Sequence, residues 1–222
     1  ECDRLEIRPP GLDFQRFEVE SGLAEDRDRG VAMQPRLQQD LVPRRVRANH
    51  VETLAAGGDG GGIAVAGDPG WVLVDRTTLS ENVASSGGGL SLAGTAPALI
   101  RNSTFSANLA GASGGGLELA GPAASVVLDF STLTGNGSPL GAGVHVAAGG
   151  LSLHGSLLGE NATGADCAAG AGVLSASGLN LDTDGSCAAL AGGSFVTVPS
   201  LGLGPLADNG GPTRTLALLP GS

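Results

Sequence analysis

Asp75, Arg101, Asp129 and His154 each stand seven residues before an asparagine: Asn82, Asn108, Asn136 and Asn161. Carboxylates set beside a guanidinium and an imidazole are the groups that acid–base cleavage of an acidic polysaccharide needs. The cation holds a uronate, and the carboxylate or imidazole moves a proton. These four are therefore candidate catalytic residues of a polysaccharide lyase or glycosidase. A second set, Ala64, Ser91, Glu118 and His145, recurs every 27 residues and would place Glu118 beside His145.

Such rows exist only if the chain returns to the same place at each repeat, and the sequence says that it does. Gly60-Gly61-Gly62-Ile63-Ala64-Val65 is followed by Gly87-Gly88-Gly89-Leu90-Ser91-Leu92, Gly114-Gly115-Gly116-Leu117-Glu118-Leu119 and Gly141-Ala142-Gly143-Val144-His145-Val146, each 27 residues on. A second phrase answers: Thr78-Leu79-Ser80-Glu81-Asn82, Thr104-Phe105-Ser106-Ala107-Asn108, Thr132-Leu133-Thr134-Gly135-Asn136 and Leu157-Leu158-Gly159-Glu160-Asn161. Periods of this size belong to stacked supersecondary units. The apolar segments alternate with period two, are too short for a helix with a buried stripe, and are punctuated by glycine. The reading is all-β: a right-handed, single-stranded parallel β-helix of about 27 residues per rung, with neighbouring rungs about 4.7–4.9 Å apart.

Stacking assigns the repeated residues their work. Asn82, Asn108, Asn136 and Asn161 form a ladder whose amides bond along the column, satisfying groups that would be costly to bury alone. Leu79, Phe105, Leu133 and Leu158 form an apolar column three residues earlier, each contributing roughly 1.5–3 kcal/mol when buried. Aromatic residues are 3% of the chain, so the core is aliphatic.

The formal charge is −10, and all 12 bases are Arg. Nine of those Arg precede residue 48, where ten acids nearly cancel them, so the repeats carry the net negative charge. Without a basic stripe and aromatic stacking partners, nucleic acid is excluded as a partner. No run of 18 or more apolar residues offers a membrane span. Cys167 and Cys187, 20 residues apart with no His at metal spacing, are expected to form a disulfide, which places the chain in an oxidising compartment. Cys2 is left over. Calcium would need two or three carboxylates on one turn, and only Asp182 and Asp184 come close. No metal and no cofactor are therefore expected.

Residues 1–48 read as an irregular segment with partial rungs, including Phe17-Glu18-Val19 as a worn strand and a solvated charged stretch from Ser21 to Asp40. Residues 49–165 are the regular repeats, entered through Val42 to Val51 as an incomplete first rung. Residues 166–222 hold imperfect rungs, a disulfide-pinned cap of the kind that open solenoid ends require, a last strand at Val196-Thr197-Val198, and a Pro/Gly loop laid along the stack. The chain forms one continuous domain. With no initiator Met and no visible signal peptide, it reads as a fragment of a longer exported protein.

The two repeated phrases resemble the GGAI and FxxN motifs of polymorphic outer-membrane protein repeats. The stretch Leu179-Asn180-Leu181-Asp182-Thr183-Asp184-Gly185-Ser186-Cys187, followed by Leu203-Gly204-Pro205-Leu206-Ala207-Asp208-Asn209-Gly210-Gly211-Pro212-Thr213, resembles the bacterial choice-of-anchor Q domain. The likeness covers roughly residues 45–222. It implies a right-handed parallel β-helix on an exported surface protein and carries over no catalytic residues.

Short repeat turns, the lack of aromatic platforms for sugar rings and the absence of clustered carboxylates weigh against catalysis. Alternating charges at Asp75, Arg101, Asp129 and His154 also serve a β-helix simply by keeping like charges apart on neighbouring strands. The expectation is a monomeric, non-catalytic, extracellular or cell-surface β-helix module with a structural or adhesin-like display role. Its partners would be cell-surface glycans or the surface proteins of a host or neighbouring cell. The polysaccharide lyase or glycosidase is the alternative.

Overall fold

The computed structural model describes residues 58–67, 70–122 and 124–222, together with the backbone of Arg44–Val46. The readings made for residues 1–43, for residues 47–57 and for Cys2 lie outside the described residues. Each turn of chain contributes one strand to each of three parallel sheets. The first sheet stacks Arg44–Val46, Val72–Asp75, Ala98–Arg101, Ser125–Asp129, Gly150–His154 and Val173–Ser177 in sequence order. The second stacks Thr78–Ser80, Thr104–Ser106, Thr132–Thr134, Leu157–Gly159, Asn180–Asp182 and Phe195–Thr197. Ile63–Val65, Leu90–Leu92, Leu117–Leu119, Val144–Val146 and Cys167–Ala169 make the third. The molecule is the expected parallel β-helix, at about 26 residues per turn. The 27-residue spacing holds on the third sheet, where Ile63 pairs with Leu90, Leu90 with Leu117 and Leu117 with Val144. Along the asparagine column it becomes 26, 28 and 25, because the connections between sheets take up the difference.

Corners between sheets are made by single residues in the left-handed region. Arg76, Asn102 and Phe130 turn the chain from first sheet to second, and Glu81, Ala107 and Glu160 turn it again just before a ladder asparagine. A non-glycine residue there costs roughly 1–2 kcal/mol, which the packed rung on either side offsets. The glycine triplets serve close approach. A Cβ on Gly89 would stand 2.6 Å from the Gly116 carbonyl oxygen and 3.2 Å from the Asn108 amide nitrogen. Small residues there let one rung and its asparagine lie directly on the next.

Inside, apolar columns fill the space. Leu79, Phe105, Leu133 and Leu158 are wholly buried, as are Leu90, Leu117 and Val144 on the third sheet. Beside them runs the asparagine ladder. The Asn82 side-chain nitrogen donates to Asn108 Oδ1 at 2.8 Å, Asn108 to Asn136 at 2.9 Å and Asn136 to Asn161 at 3.2 Å. Each acceptor oxygen also takes the backbone N–H of the preceding asparagine. The second amide proton goes to a core-strand carbonyl, from Asn108 to Leu79 and from Asn136 to Phe105. Asn108 and Asn136 thus make all four hydrogen bonds that an amide offers. Asn161 Nδ2 donates to Asp166 Oδ1 at 2.8 Å, and Asp166 Oδ2 accepts from the Thr183 N–H and hydroxyl. The column runs one way and ends on a carboxylate.

A second polar column accompanies it at the first corner. The Thr77 N–H donates to Ser103 Oγ, Ser103 N–H to Ser131 Oγ, Ser131 N–H to Ser156 Oγ and Ser156 N–H to Asn180 Oδ1. Each of the four hydroxyls, from Thr77 to Ser156, donates to the carbonyl two residues earlier.

The C-terminal end is closed by a short helix, Ser186–Ala191, whose buried Cys187 is disulfide-bonded to Cys167 of the last third-sheet strand. The cap is therefore pinned as expected, although by a helix that the sequence reading did not foresee. The segment from Leu201 is not a loop but an antiparallel hairpin, Leu203–Ala207 with Thr215–Leu218. It starts at Glu160, whose carboxylate accepts from Ser200 and Leu201. It reaches back to Thr78, whose hydroxyl donates to the Arg214 carbonyl at 2.6 Å. Thr78, Ser80, Thr104, Ser106 and Thr134, outward residues of the second sheet, are buried.

Replacing one ladder amide leaves buried donors and acceptors on both sides unsatisfied, each costing about 1–3 kcal/mol. Asn136→Ala is expected to lower the urea unfolding free energy by about 2–5 kcal/mol. Asn161→Ala, at a partly buried position, is expected to cost less. Equal, small losses at both positions would contradict the ladder's role.

Candidate functional site

Asp75, Arg101, Asp129 and His154 do form one row on the outer face of the first sheet, because each is the register partner of the next. The row is not a uniform ladder of charge. Arg101 Nε donates to Asp75 Oδ1 at 3.1 Å, and Asp75 is 2% exposed against 39% for the Arg101 side chain. Asp129 makes no ion pair among the described residues, and His154 stands next to it. The guanidinium is thus bonded through Nε to Asp75, and the Asp129 carboxylate on the next rung would repel a polyanion.

The outer row of the third sheet brings Ser91, Glu118 and His145 into register. His145 Nδ1 lies 3.0 Å and 3.2 Å from the two Glu118 oxygens, with both side chains largely buried. The Glu118 carboxylate leans over the Gly114 corner, where a Cβ would come within 2.7 Å of Oε2. This is a hydrogen-bonded acid–imidazole pair on the flank of a sheet, bordered by Ser91 and by Ala168 of the next strand.

The acidic residues near the cap are engaged with the backbone. Asp184 accepts from the Ser186 N–H and hydroxyl and from the Asp166 N–H. Asp182, the register partner of Leu158, is fully buried and accepts from the Ala188 N–H. No group of three or more His, Cys, Asp or Glu side chains among the described residues is arranged to hold a metal ion. Burial raises the Asp166 pKa, and the nearby Asp184 charge adds to this, against the lowering effect of hydrogen bonds from Asn161 and Thr183. Burial also pushes Asp184 upward, but the hydrogen bonds from Ser186 and Asp166 outweigh it and leave that carboxyl below its ordinary value.

Sequence reasoning missed three things. The hydroxyl column, Asp166 as the ladder's terminus, and the exposed Phe130 were not singled out. Its ring is 60% exposed at the corner after Asp129 and lies 5.1 Å from the His154 ring. Signals existed for two of them: Thr77, Ser103, Ser131 and Ser156 sit at one repeat position, and Phe130 stands in a column with Asn102 and Gly155.

Comparisons of the chain with protein-family models, with curated proteins and with solved structures find no match. Among the described residues, no helix is long and apolar enough to cross a membrane.

The opposed shifts are open to measurement. Asp166, with its raised folded pKa, stabilises the fold most at low pH, and that contribution is lost as pH rises through the raised value. Asp184 does the reverse, contributing above the ordinary carboxyl range and losing that contribution as pH falls. Carbon NMR titration of the side-chain carboxyls is expected to place Asp166 above 3.8 and Asp184 below it. The opposite order would contradict the assignment.

Proposed function

We propose that this chain is a non-catalytic display module of a bacterial cell-surface or secreted protein, a stiff β-helical stalk that binds through its outer faces. The observation that carries the reading is the state of the two polar rows. On one, Arg101 is held by Asp75; on the other, Glu118 is held by His145. Arg101 and His145 are each already bonded to a carboxylate, which weakens their hold on an acidic polysaccharide. Both rows lie on outer sheet faces whose strands follow one another through short connections, so the repeats themselves supply no long loops to wall a cleft.

Two further features support the reading. A Cys167–Cys187 disulfide fits an oxidising, exported setting. The motif resemblance to choice-of-anchor Q domains and polymorphic outer-membrane repeats points to the same compartment. Partners of such a module are surface glycans or the surface proteins of neighbouring or host cells. Fold alone does not decide, since one architecture hosts many functions.

Incubation with pectin, alginate and glycosaminoglycans is expected to release neither unsaturated nor reducing ends. Release that is abolished in Arg101→Ala and Asp129→Ala would overturn the proposal in favour of a lyase or glycosidase.

A further inference from the structure

Phe130 occupies a position that its residue type does not suit. Its φ is 45°, in the left-handed region, where a bulky side chain is a genuine outlier. The equivalent corner is Arg76 two turns earlier, Asn102 one turn earlier, and Gly155 and Gly178 on the two following turns. Asn102 and the two glycines tolerate the conformation; Phe130, like Arg76, adds strain, and its ring is left exposed. Backbone strain that the fold maintains at an exposed side chain is a reason to look for a function there.

The surroundings are built around the ring. A Cβ on Gly155 would lie 2.6 Å and 2.7 Å from two Phe130 ring carbons, so the ring rests on that glycine. One rung on, the His154 ring rests on Gly178 in the same way, with a hypothetical Cβ at 3.1–3.3 Å. Two rings thus stand on two successive glycines, tilted 51° to each other. Asp129 precedes the Phe130 corner and stands in register with His154. Beyond them on the same face are exposed Val127 and the hydroxyls of Ser152 and Ser175, which bond to each other at 2.9 Å.

We propose that Phe130, Asp129 and His154 form a subsite for a neutral pyranose glycan. The inference deepens the display reading and rests on it. An exposed ring offers its electron-rich face to the C–H face of a sugar. An ionised carboxylate accepts from sugar hydroxyls, and an imidazole donates or accepts beside it. A few such polar groups around an apolar platform are what a small-molecule site requires. Charge bears on the ligand class: Arg101 is bonded through Nε to Asp75, and Asp129 adds a carboxylate to the face that disfavours uronates.

Affinity electrophoresis through gels containing hydroxyethylcellulose, laminarin, galactomannan or polygalacturonate tests this. The wild-type chain is expected to be retarded by at least one neutral polymer and not by polygalacturonate. Phe130→Asn, which places the Asn102 residue type at the same corner, is expected to melt at a higher temperature and to lose at least tenfold in apparent affinity. Asp129→Asn is expected to lose affinity as well. No retardation by any of the three neutral polymers, or undiminished retardation of Phe130→Asn, overturns the subsite. If Phe130→Asn does not fold, Phe130→Leu decides: it keeps apolar bulk without a ring face, and unchanged retardation overturns the proposal. Release of reducing ends from the same polymers would overturn the display reading instead, whatever the dependence on Phe130.

Discussion

The asparagine column is the interaction on which the rest of this structure depends. An amide in an apolar interior is costly unless every donor and acceptor is matched, and no single rung can match its own. Asn108 is satisfied only because Asn82 lies on one side and Asn136 on the other. That requirement fixes the vertical register, and a fixed register puts the Leu79–Leu158 column in the core and every outward side chain in a row. It also gives the column a direction. Each amide makes its side-chain-to-side-chain bond toward the C-terminal end, so the column needs an acceptor after Asn161. Asp166 supplies it, accepting from the Asn161 amide on one oxygen and from the Thr183 N–H and hydroxyl on the other.

That ending ties the ladder to the cap. Thr183 and Asp184 belong to the turn that leads into the short helix, and Cys167, adjacent to Asp166, bonds to Cys187 within it. The same few residues therefore terminate the polar column, close the apolar core and anchor the last rung. The charge has a consequence visible in the Asp166 pKa, which burial raises despite three hydrogen bonds to the carboxylate. Hydrogen-bonded chains inside a low-dielectric interior reinforce one another, and here the reinforcement runs along the rod rather than across it.

Much of this was legible in the sequence because a solenoid writes its contacts as a repeat. The triplet glycines, the Leu79 column and the ladder asparagines recur at nearly constant spacing, and register partners follow directly from that. The Asp75–Arg101–Asp129–His154 row was legible for the same reason, and so was the meeting of Glu118 with His145. What each row does was not. Whether Arg101 pairs with Asp75 or Asp129 depends on side-chain reach, which spacing does not encode. Phe130 was hidden because its neighbours in the column are Asn102 and Gly155, chemically unlike it and alike only in backbone conformation. The hydroxyl column of Thr77, Ser103, Ser131 and Ser156 was overlooked because serine and threonine are common throughout the repeats. The helix at Ser186–Ala191 is six residues long, too short to show a period, and the Leu203–Leu218 hairpin pairs with itself outside the repeat.

The most direct test of a single directional column is native-state hydrogen exchange in Asp166→Ala. The backbone amides of Asn82, Asn108 and Asn136 each donate to the next asparagine, so their protection reports on the whole ladder. If the carboxylate terminates one cooperative column, removing it lowers the protection of all three together. A loss confined to the rungs around Asn161 and Thr183, with Asn82 and Asn108 protected as before, would show that each asparagine stands by itself.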